Sequence, residues 1–156
     1  MKFVLLGIIF ASICSLGFKF GGTYKQKERF YQDFYSFLLY VKSQIFFLKT
    51  SLIEILEDYK TDNKDLKFLL NNFKNSLSQN CDFKLDILSD DENLEIKNFL
   101  NGLGKNDCFS QNDYLENNLD FFNKKFIESQ SQNLKYGAVY KKLGIIFAFF
   151  IVILLI

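Results

Sequence analysis

Apolar residues are concentrated at the two ends of the chain. The last fourteen residues, 143–156, contain no polar side chain and directly follow the basic pair Lys141 and Lys142. A second apolar run occupies 3–18. Both runs are shorter than the roughly 20 residues of a spanning helix, but flanking lysine side chains extend such a span by snorkelling. The pattern predicts a membrane helix at each end of a polar middle.

The N-terminal run allows two interpretations. Two glycines and two serines weaken its apolar character, and Lys2 provides the charged start that a secretory signal has. Ile13, however, occupies the place where a cleavage site needs a small residue. We therefore expect a retained anchor, and keep a cleaved signal as the alternative.

Basic residues on the inner flanks of the two runs predict the orientation. They are Lys19, Lys25, Lys27 and Arg29 after the first run, and Lys135, Lys141 and Lys142 before the second. By the positive-inside rule, the middle of the chain is expected to be cytoplasmic.

The middle has the pattern of successive amphipathic helices. It lacks proline, and its apolar residues recur three or four apart. A first helix is expected over roughly 24–48 and a third from about Asp65. Ser51 with Glu54 has the spacing of a capping box and starts a second helix. A short fourth helix is expected around Phe83–Leu88.

Two further helices complete the middle. Ser89 with Glu92 is a second capping-box pattern and opens a fifth helix, which is expected to stop at 102–104, where two glycines lie. Asp107 is the expected N-cap of a last helix. That helix is predicted to continue into the apolar tail, with Gly137 as its one weak point.

These patterns predict an all-α protein. We expect an antiparallel bundle of about six helices, flanked by N- and C-terminal transmembrane helices. The predicted domains are an N-terminal membrane anchor (1–22), a cytoplasmic helical bundle (23–136) and a C-terminal membrane helix (137–156).

Composition argues against most enzymatic and nucleic-acid functions. The 19 basic and 18 acidic side chains nearly balance, which is unlike the basic footprint of a nucleic-acid binder. Histidine is absent, so the usual proton shuttle and zinc ligand are missing. The acidic clusters at 54–65 and 86–95 are interpreted as solvated faces and helix starts. We expect no catalytic residue, metal or cofactor. Three cysteines, an odd number, favour free thiols.

The last third of the chain carries a more specific pattern. Leu103 and Gly104 are followed by Asp107 and Gln111, then by Lys135-Tyr136, and then by Tyr140-Lys141-Lys142-Leu143-Gly144 before the apolar tail. With this arrangement the chain resembles the stage III sporulation protein AB family of endospore-forming bacteria. Upstream, the segment Thr50-Ser51-Leu52-Ile53-Glu54 resembles a family segment in which Thr-Pro-Leu precedes an acidic residue.

The resemblance implies a function and a set of partners. It implies a domain similar to the cytoplasmic domains of the F-type inner-membrane platform protein of type II secretion. The expected partners are the membrane, a hexameric secretion-type ATPase (stage III sporulation protein AA) and other stage III channel proteins, with homo-oligomers possible. The expected location is the mother-cell membrane facing the forespore. An exported helical protein with a cleaved signal and a membrane tail is the alternative.

Two groups of candidate site residues follow. Leu103, Gly104, Asp107 and Gln111 form the turn that matches the family and are a candidate interface. Lys135, Tyr136, Tyr140, Lys141 and Lys142 are interpreted as membrane-interface anchors, because aromatic and basic side chains collect at headgroup level.

Overall fold

The structure is a computed structural model that describes residues 2–76, 82–103 and 108–155. All regular structure in these ranges is helical, which confirms the predicted all-α class. The helices are α1 (Lys2–Ser43), α2 (Leu52–Asp58), α3 (Lys64–Asn75), α4 (Asp90–Gly102), α5 (Cys108–Gln132) and α6 (Ala138–Leu155). Two π-helical turns occupy Gln44–Leu48 and Asn133–Gly137.

The chain divides into two compact units. The terminal unit comprises Met1–Glu28 and Ile127–Ile156, and the central unit comprises Arg29–Phe126. The boundaries lie within α1 and α5, so each of these helices contributes residues to both units. The domain limits at 22 and 136 stay a prediction.

The first helix begins much earlier than the expected start at residue 24. α1 runs without a break from Lys2 to Ser43, through Gly21 and Gly22. A glycine inside a helix costs only about 1 kcal/mol, which packing elsewhere along a long helix offsets. The helix ends in the first π-turn, after which Lys49 adopts a left-handed conformation (φ 52°) and its backbone N–H donates to the Gln44 carbonyl.

Phenylalanine side chains of α1 form the middle of the central core. Phe30, Phe34 and Phe37 are fully buried. The Phe34 ring meets the Phe122 ring of α5 edge-to-face, with 4.8 Å between ring centroids, and the Phe99 ring of α4 at 6.1 Å. Edge-to-face pairs of this kind add to the free energy of burying the rings. The helices α1, α4 and α5 therefore meet around one aromatic centre.

The short helices start at the capping boxes that the sequence predicts. The Ser51 hydroxyl accepts the Glu54 backbone N–H, and the Glu54 carboxylate accepts the Ser51 N–H. Ser89 and Glu92 repeat the arrangement at the start of α4. Both predictions are confirmed. Such caps satisfy backbone donors that the first helical turn leaves unpaired.

The predicted fourth helix is wrong. Residues 82–89 form no helix, although Phe83, Leu85 and Leu88 are buried. The buried Asn93 side chain of α4 explains the difference. Its amide oxygen accepts the Leu85 N–H at 2.9 Å, and its nitrogen donates to the Leu85 and Leu88 carbonyls. These bonds, together with a turn in which the Leu88 N–H donates to the Leu85 carbonyl, satisfy the backbone of a non-helical segment, so helical hydrogen bonds are not required.

Apolar residues that recur three or four apart form the buried faces of α3, α4 and α5, as the sequence pattern predicts. Leu66, Leu69, Leu70 and Phe73 of α3 are buried, as are Ile96, Phe99, Leu100 and Leu103 in or next to α4 and Leu115, Leu119 and Phe122 of α5. Phe126 is partly buried against this core. The helical backbone continues from Cys108 to Leu155, and the second π-turn ends at Gly137. The predicted weak point is therefore a change of helix type.

Candidate functional site

The two helical segments of the terminal unit touch backbone to backbone at glycines. A methyl group added at Gly17 would lie 2.7 Å from the Gly144 Cα atom, and one added at Gly21 would lie 2.6 Å from the Gly137 carbonyl oxygen. Both distances are too short for any side chain. Small residues at such positions let membrane helices approach closely and gain van der Waals contact. Gly17 and Gly21 are four apart, so they share one face of α1.

Side chains continue this contact towards both ends of the pair. The Phe10 and Phe149 rings meet edge-to-face, with 5.1 Å between their centroids. Glu28 accepts a 2.6 Å hydrogen bond from the Asn133 side-chain nitrogen. Because residue numbers fall on one segment as they rise on the other, the pair is antiparallel. We call this antiparallel pair of helical segments in the terminal unit the hairpin.

Three tyrosines contact one another across the hairpin. The Tyr24 ring stacks on the Tyr140 ring, with 5.7 Å between centroids and 13° between planes. It also meets the Tyr136 ring at 5.9 Å. The Lys135 ammonium lies 5.1 Å from the Tyr136 centroid, a cation–π contact. We call Tyr24, Tyr136 and Tyr140 the tyrosine cluster.

The hairpin exposes many large apolar side chains. Two helical stretches, Leu6–Leu48 and Asn112–Leu154, are long and apolar enough to cross a membrane by length and composition. Ile146, Phe147, Phe150 and Ile153 are all more than half exposed. A helix that is apolar on all sides has no polar face to present to water. This surface is chemically suited to lipid acyl chains.

The family comparison agrees with these features. The family model of stage III sporulation protein AB matches residues 2–156. The chain belongs to this family. The resemblance predicted from the last third of the sequence is thereby confirmed over essentially the whole chain. No curated protein and no solved structure matches the chain.

The turn that carries part of the family pattern is described only in part. Leu103 caps the C-terminus of α4, where its N–H donates to the Phe99 and Leu100 carbonyls, and its side chain is buried in the core. Gly104 and Asp107 lie outside the described residues, as does the side chain of Gln111, whose backbone belongs to α5. The interface role of this turn stays a prediction.

The predicted interface anchors lie in the hairpin. Lys135, Tyr136 and Tyr140 take part in the tyrosine cluster or contact it, as given above. The Lys141 side chain crosses Gly21, where an added methyl group would lie 2.7 Å from the Lys141 Cγ atom and 3.1 Å from its Cε atom. Lys142 is exposed. Their position at a membrane surface stays a prediction.

The sequence reasoning missed the α1 side of the hairpin. Gly17, Gly21, Tyr24 and Glu28 provide its contacts with the C-terminal segment, and none was singled out. Their spacing of four, three and four residues is the helical repeat that places side chains on one face. The repeat indicates a contact face on α1. It does not identify the segment that packs against this face, which only the folded structure shows.

Acidic residues of the central unit form ion pairs on its surface. The carboxylates of Glu57, Asp90 and Glu95 each lie 2.8 Å from a lysine ammonium, those of Lys74, Lys84 and Lys125 respectively. A hydrogen bond from Lys97 and its charge lower the pKa of Asp82, and Lys84 lowers the pKa of Asp90 in the same way. Burial, aided by the Asp33 charge, raises the pKa of Tyr59.

The described residues show no group of three or more metal-ligating side chains. The expectation that the protein binds no metal or cofactor stays a prediction, as does the absence of a catalytic residue. The acidic clusters at least contain several of these ion pairs, which fits their interpretation as solvated faces.

Proposed function

We propose that this chain is a non-enzymatic membrane platform of the channel between mother cell and forespore. The family makes it a sporulation protein. In the proposal, the hairpin of the terminal unit spans the mother-cell membrane and the central unit lies in the cytoplasm. The central unit couples a secretion-type ATPase, stage III sporulation protein AA, to the membrane complex.

The glycine contacts of the hairpin are the observation that supports this proposal most strongly. Gly17 against Gly144 and Gly21 against Gly137 bring two apolar helices into backbone contact. Close packing of this kind is what holds helices together in lipid, where the hydrophobic effect does not favour their association. The pair would therefore remain one body when force acts on the cytoplasmic side.

The central unit has the features of the part that receives such force. Its core joins residues of α1, α4 and α5 around Phe34, and close-packed interiors transmit displacement because they deform little. Both α1 and α5 contribute residues to the terminal unit as well. In the proposal, these two helices carry a movement of the central unit to the membrane.

The alternative, an exported protein with a cleaved signal, fits the contacts less well. Removal of the first apolar run would take away Phe10 and Gly17, which contact Phe149 and Gly144. The apolar tail would then lose its partner helix. Mass spectrometry of the mature protein separates the two functions, because a platform keeps the peptide of residues 3–18 and an exported protein lacks it.

The test of orientation uses single cysteines in the intact chain. In a variant with Cys14, Cys81 and Cys108 replaced by serine, a K60C substitution places a thiol on the exposed surface of the central unit. A membrane-impermeant maleimide is expected to label it only after the cells are permeabilised. Labelling of intact cells would contradict the cytoplasmic placement.

The test of coupling is a pull-down of the detergent-solubilised, tagged protein from sporulating cells. We expect a hexameric secretion-type ATPase in the eluate. An F34A variant, in which the core of the central unit is damaged, serves as the matched control and should lose the ATPase while staying in the membrane fraction. Repeated recovery of no ATPase with the unaltered chain would contradict the platform function.

A further inference from the structure

We propose that the terminal unit binds the headgroup of an anionic phospholipid, at a site that Lys25 and Lys141 form beside Gly21. The inference rests on the proposed function, because it requires the hairpin to lie in a membrane. It adds a chemical preference for the lipid, which neither the family nor the membrane location implies.

The charge of the chain is divided unequally between its two units. Of the 19 basic and 18 acidic side chains, the terminal unit holds seven and two, and the central unit holds the other twelve and sixteen. The terminal unit is thus strongly basic and the central unit acidic. Six of the seven basic residues follow the first apolar run or precede the second, so their charge is concentrated where the apolar surface ends.

Both acidic side chains of the terminal unit accept hydrogen bonds from amide groups. The Glu28 carboxylate accepts from Asn133 at 2.6 Å, and the Glu128 carboxylate accepts from Gln132 at 3.2 Å. Each is therefore held by a neutral partner on the C-terminal segment. The terminal unit thus holds five more basic than acidic side chains, and this net positive charge attracts anions.

The position of Lys141 gives this charge a defined place. Its side chain lies across Gly21, within the distance at which any Cβ atom would clash with it. A glycine at this position leaves room for the methylene stem, which is confined against the helix backbone. Gly22, next to it, has open space where a side chain would be. The Lys141 stem is therefore held against α1 at Gly21.

Lys25 supplies a second ammonium group on the same side. It lies four residues after Gly21, and residues four apart are neighbours on one helix face. Its side chain is exposed. Two lysines close to one position of α1 suit a phosphate group, since each contributes a point charge and up to three hydrogen-bond donors.

A lipid, rather than free phosphate, is the ligand that the surroundings favour. Phe18 and Phe20 on α1, and Leu143 on α6, are large apolar side chains left exposed beside these lysines in the sequence. An occupant with a phosphodiester and an acyl chain satisfies both surfaces together. Polybasic segments next to a membrane helix attract anionic lipids by this combination of charge and position.

The test compares lipid binding by the full chain in neutral detergent, measured by native mass spectrometry. Phosphatidylglycerol and phosphatidylcholine with identical acyl chains are added in equal amounts. We expect the unaltered chain to bind phosphatidylglycerol preferentially. A K25Q/K141Q variant should lose about fivefold of that preference for each lysine. The matched control K60Q/K67Q removes the same charge from exposed positions of the central unit and should keep the preference. K25R should keep it too, because the charge remains.

Three results would overturn the site. The first is that K25Q/K141Q and K60Q/K67Q lose the preference for phosphatidylglycerol equally. The second is that K25Q/K141Q keeps the preference unchanged. The third is that inorganic phosphate at equal concentration displaces phosphatidylglycerol. Flotation with pure phosphatidylcholine vesicles distinguishes failure of the lipid site from failure of the proposed membrane function. A chain that floats with neutral vesicles and shows no lipid preference contradicts the site alone, whereas a chain that floats with no vesicles contradicts the membrane platform.

Discussion

The terminal and central units use opposite means to bring helices together. In the central unit, large side chains meet in the interior, as Phe34 does with Phe99 and Phe122. In the terminal unit, the closest contacts occur where side chains are missing, at Gly17 with Gly144 and at Gly21 with Gly137. In water, burial of large apolar groups drives association. In lipid that driving force is absent, so close backbone approach matters more.

The two units also differ in the side chains that they expose. The hairpin presents apolar side chains on its outside and a net positive charge, whereas the central unit buries Phe30, Phe34 and Phe37 and carries sixteen of the 18 acidic side chains. One chain thus contains two packing schemes adapted to two solvents. The effect of a substitution therefore depends on the unit in which it lies.

The largest expected effect is the loss of a core ring from the central unit. F34A should lower the free energy of unfolding by about 3–5 kcal/mol, because it leaves a cavity among three helices. The control F68A removes a ring that is half exposed and should cost about 1 kcal/mol or less. Chemical denaturation of the full chain in detergent measures both. Equal costs would contradict the aromatic centre described here.

A second prediction concerns the buried polar group that replaces a helix. N93A should cost about 1–3 kcal/mol, since the Leu85 N–H loses its acceptor inside the protein. The control N98A alters an exposed asparagine of the same helix. Hydrogen exchange of the Leu85 amide gives a local measurement and should accelerate in N93A only. Unchanged exchange at Leu85 would show that Asn93 does not hold this segment.

The third prediction tests whether the hairpin depends on missing side chains. G17A should reduce close approach of the two helices by about tenfold, because its methyl group meets the Gly144 Cα atom. G22A adds the same methyl group where no atom lies nearby, and it should leave the approach of the two helices unchanged. Disulfide formation between F10C and F149C, in a background without native cysteines, reports the approach. Equal cross-linking in G17A and G22A would contradict the glycine contact.

The smallest expected effect is a pH dependence of the central unit. Lys97 and Lys84 lower the pKa values of Asp82 and Asp90 in the folded protein. A carboxylate whose pKa is lowered in the folded state stabilises the protein at pH values above the unfolded-state pKa, which is about 3.9. This stabilisation is lost as the pH falls below about 3.9 and through the folded-state pKa. The melting temperature should therefore fall less steeply below about pH 4 in D82N/D90N than in the unaltered chain. D58N/D62N, which leaves both ion pairs intact, should keep the steeper fall.

Much of the fold is predictable from the sequence because it depends on neighbouring residues. The capping boxes at Ser51 and Ser89 require partners only three residues away. Leu66, Leu69 and Phe73 reveal their buried face by spacing alone. The helix predicted at residues 83–88 is wrong, because apolar residues in a short segment are equally compatible with a helix and a non-helical path. The hydrogen bond between the Asn93 side chain and the Leu85 backbone favours the non-helical path.

The sequence alone is enough to show that the chain is helical, where α2, α3 and α4 start, and that its ends are apolar with basic flanks. These properties follow from local periodicity, caps and composition. The packing of the folded chain alone shows which glycines are contact points and that the Lys141 side chain crosses Gly21. The physical reason is that these contacts join residues from opposite ends of the chain, and no local pattern on α1 specifies what will pack against it.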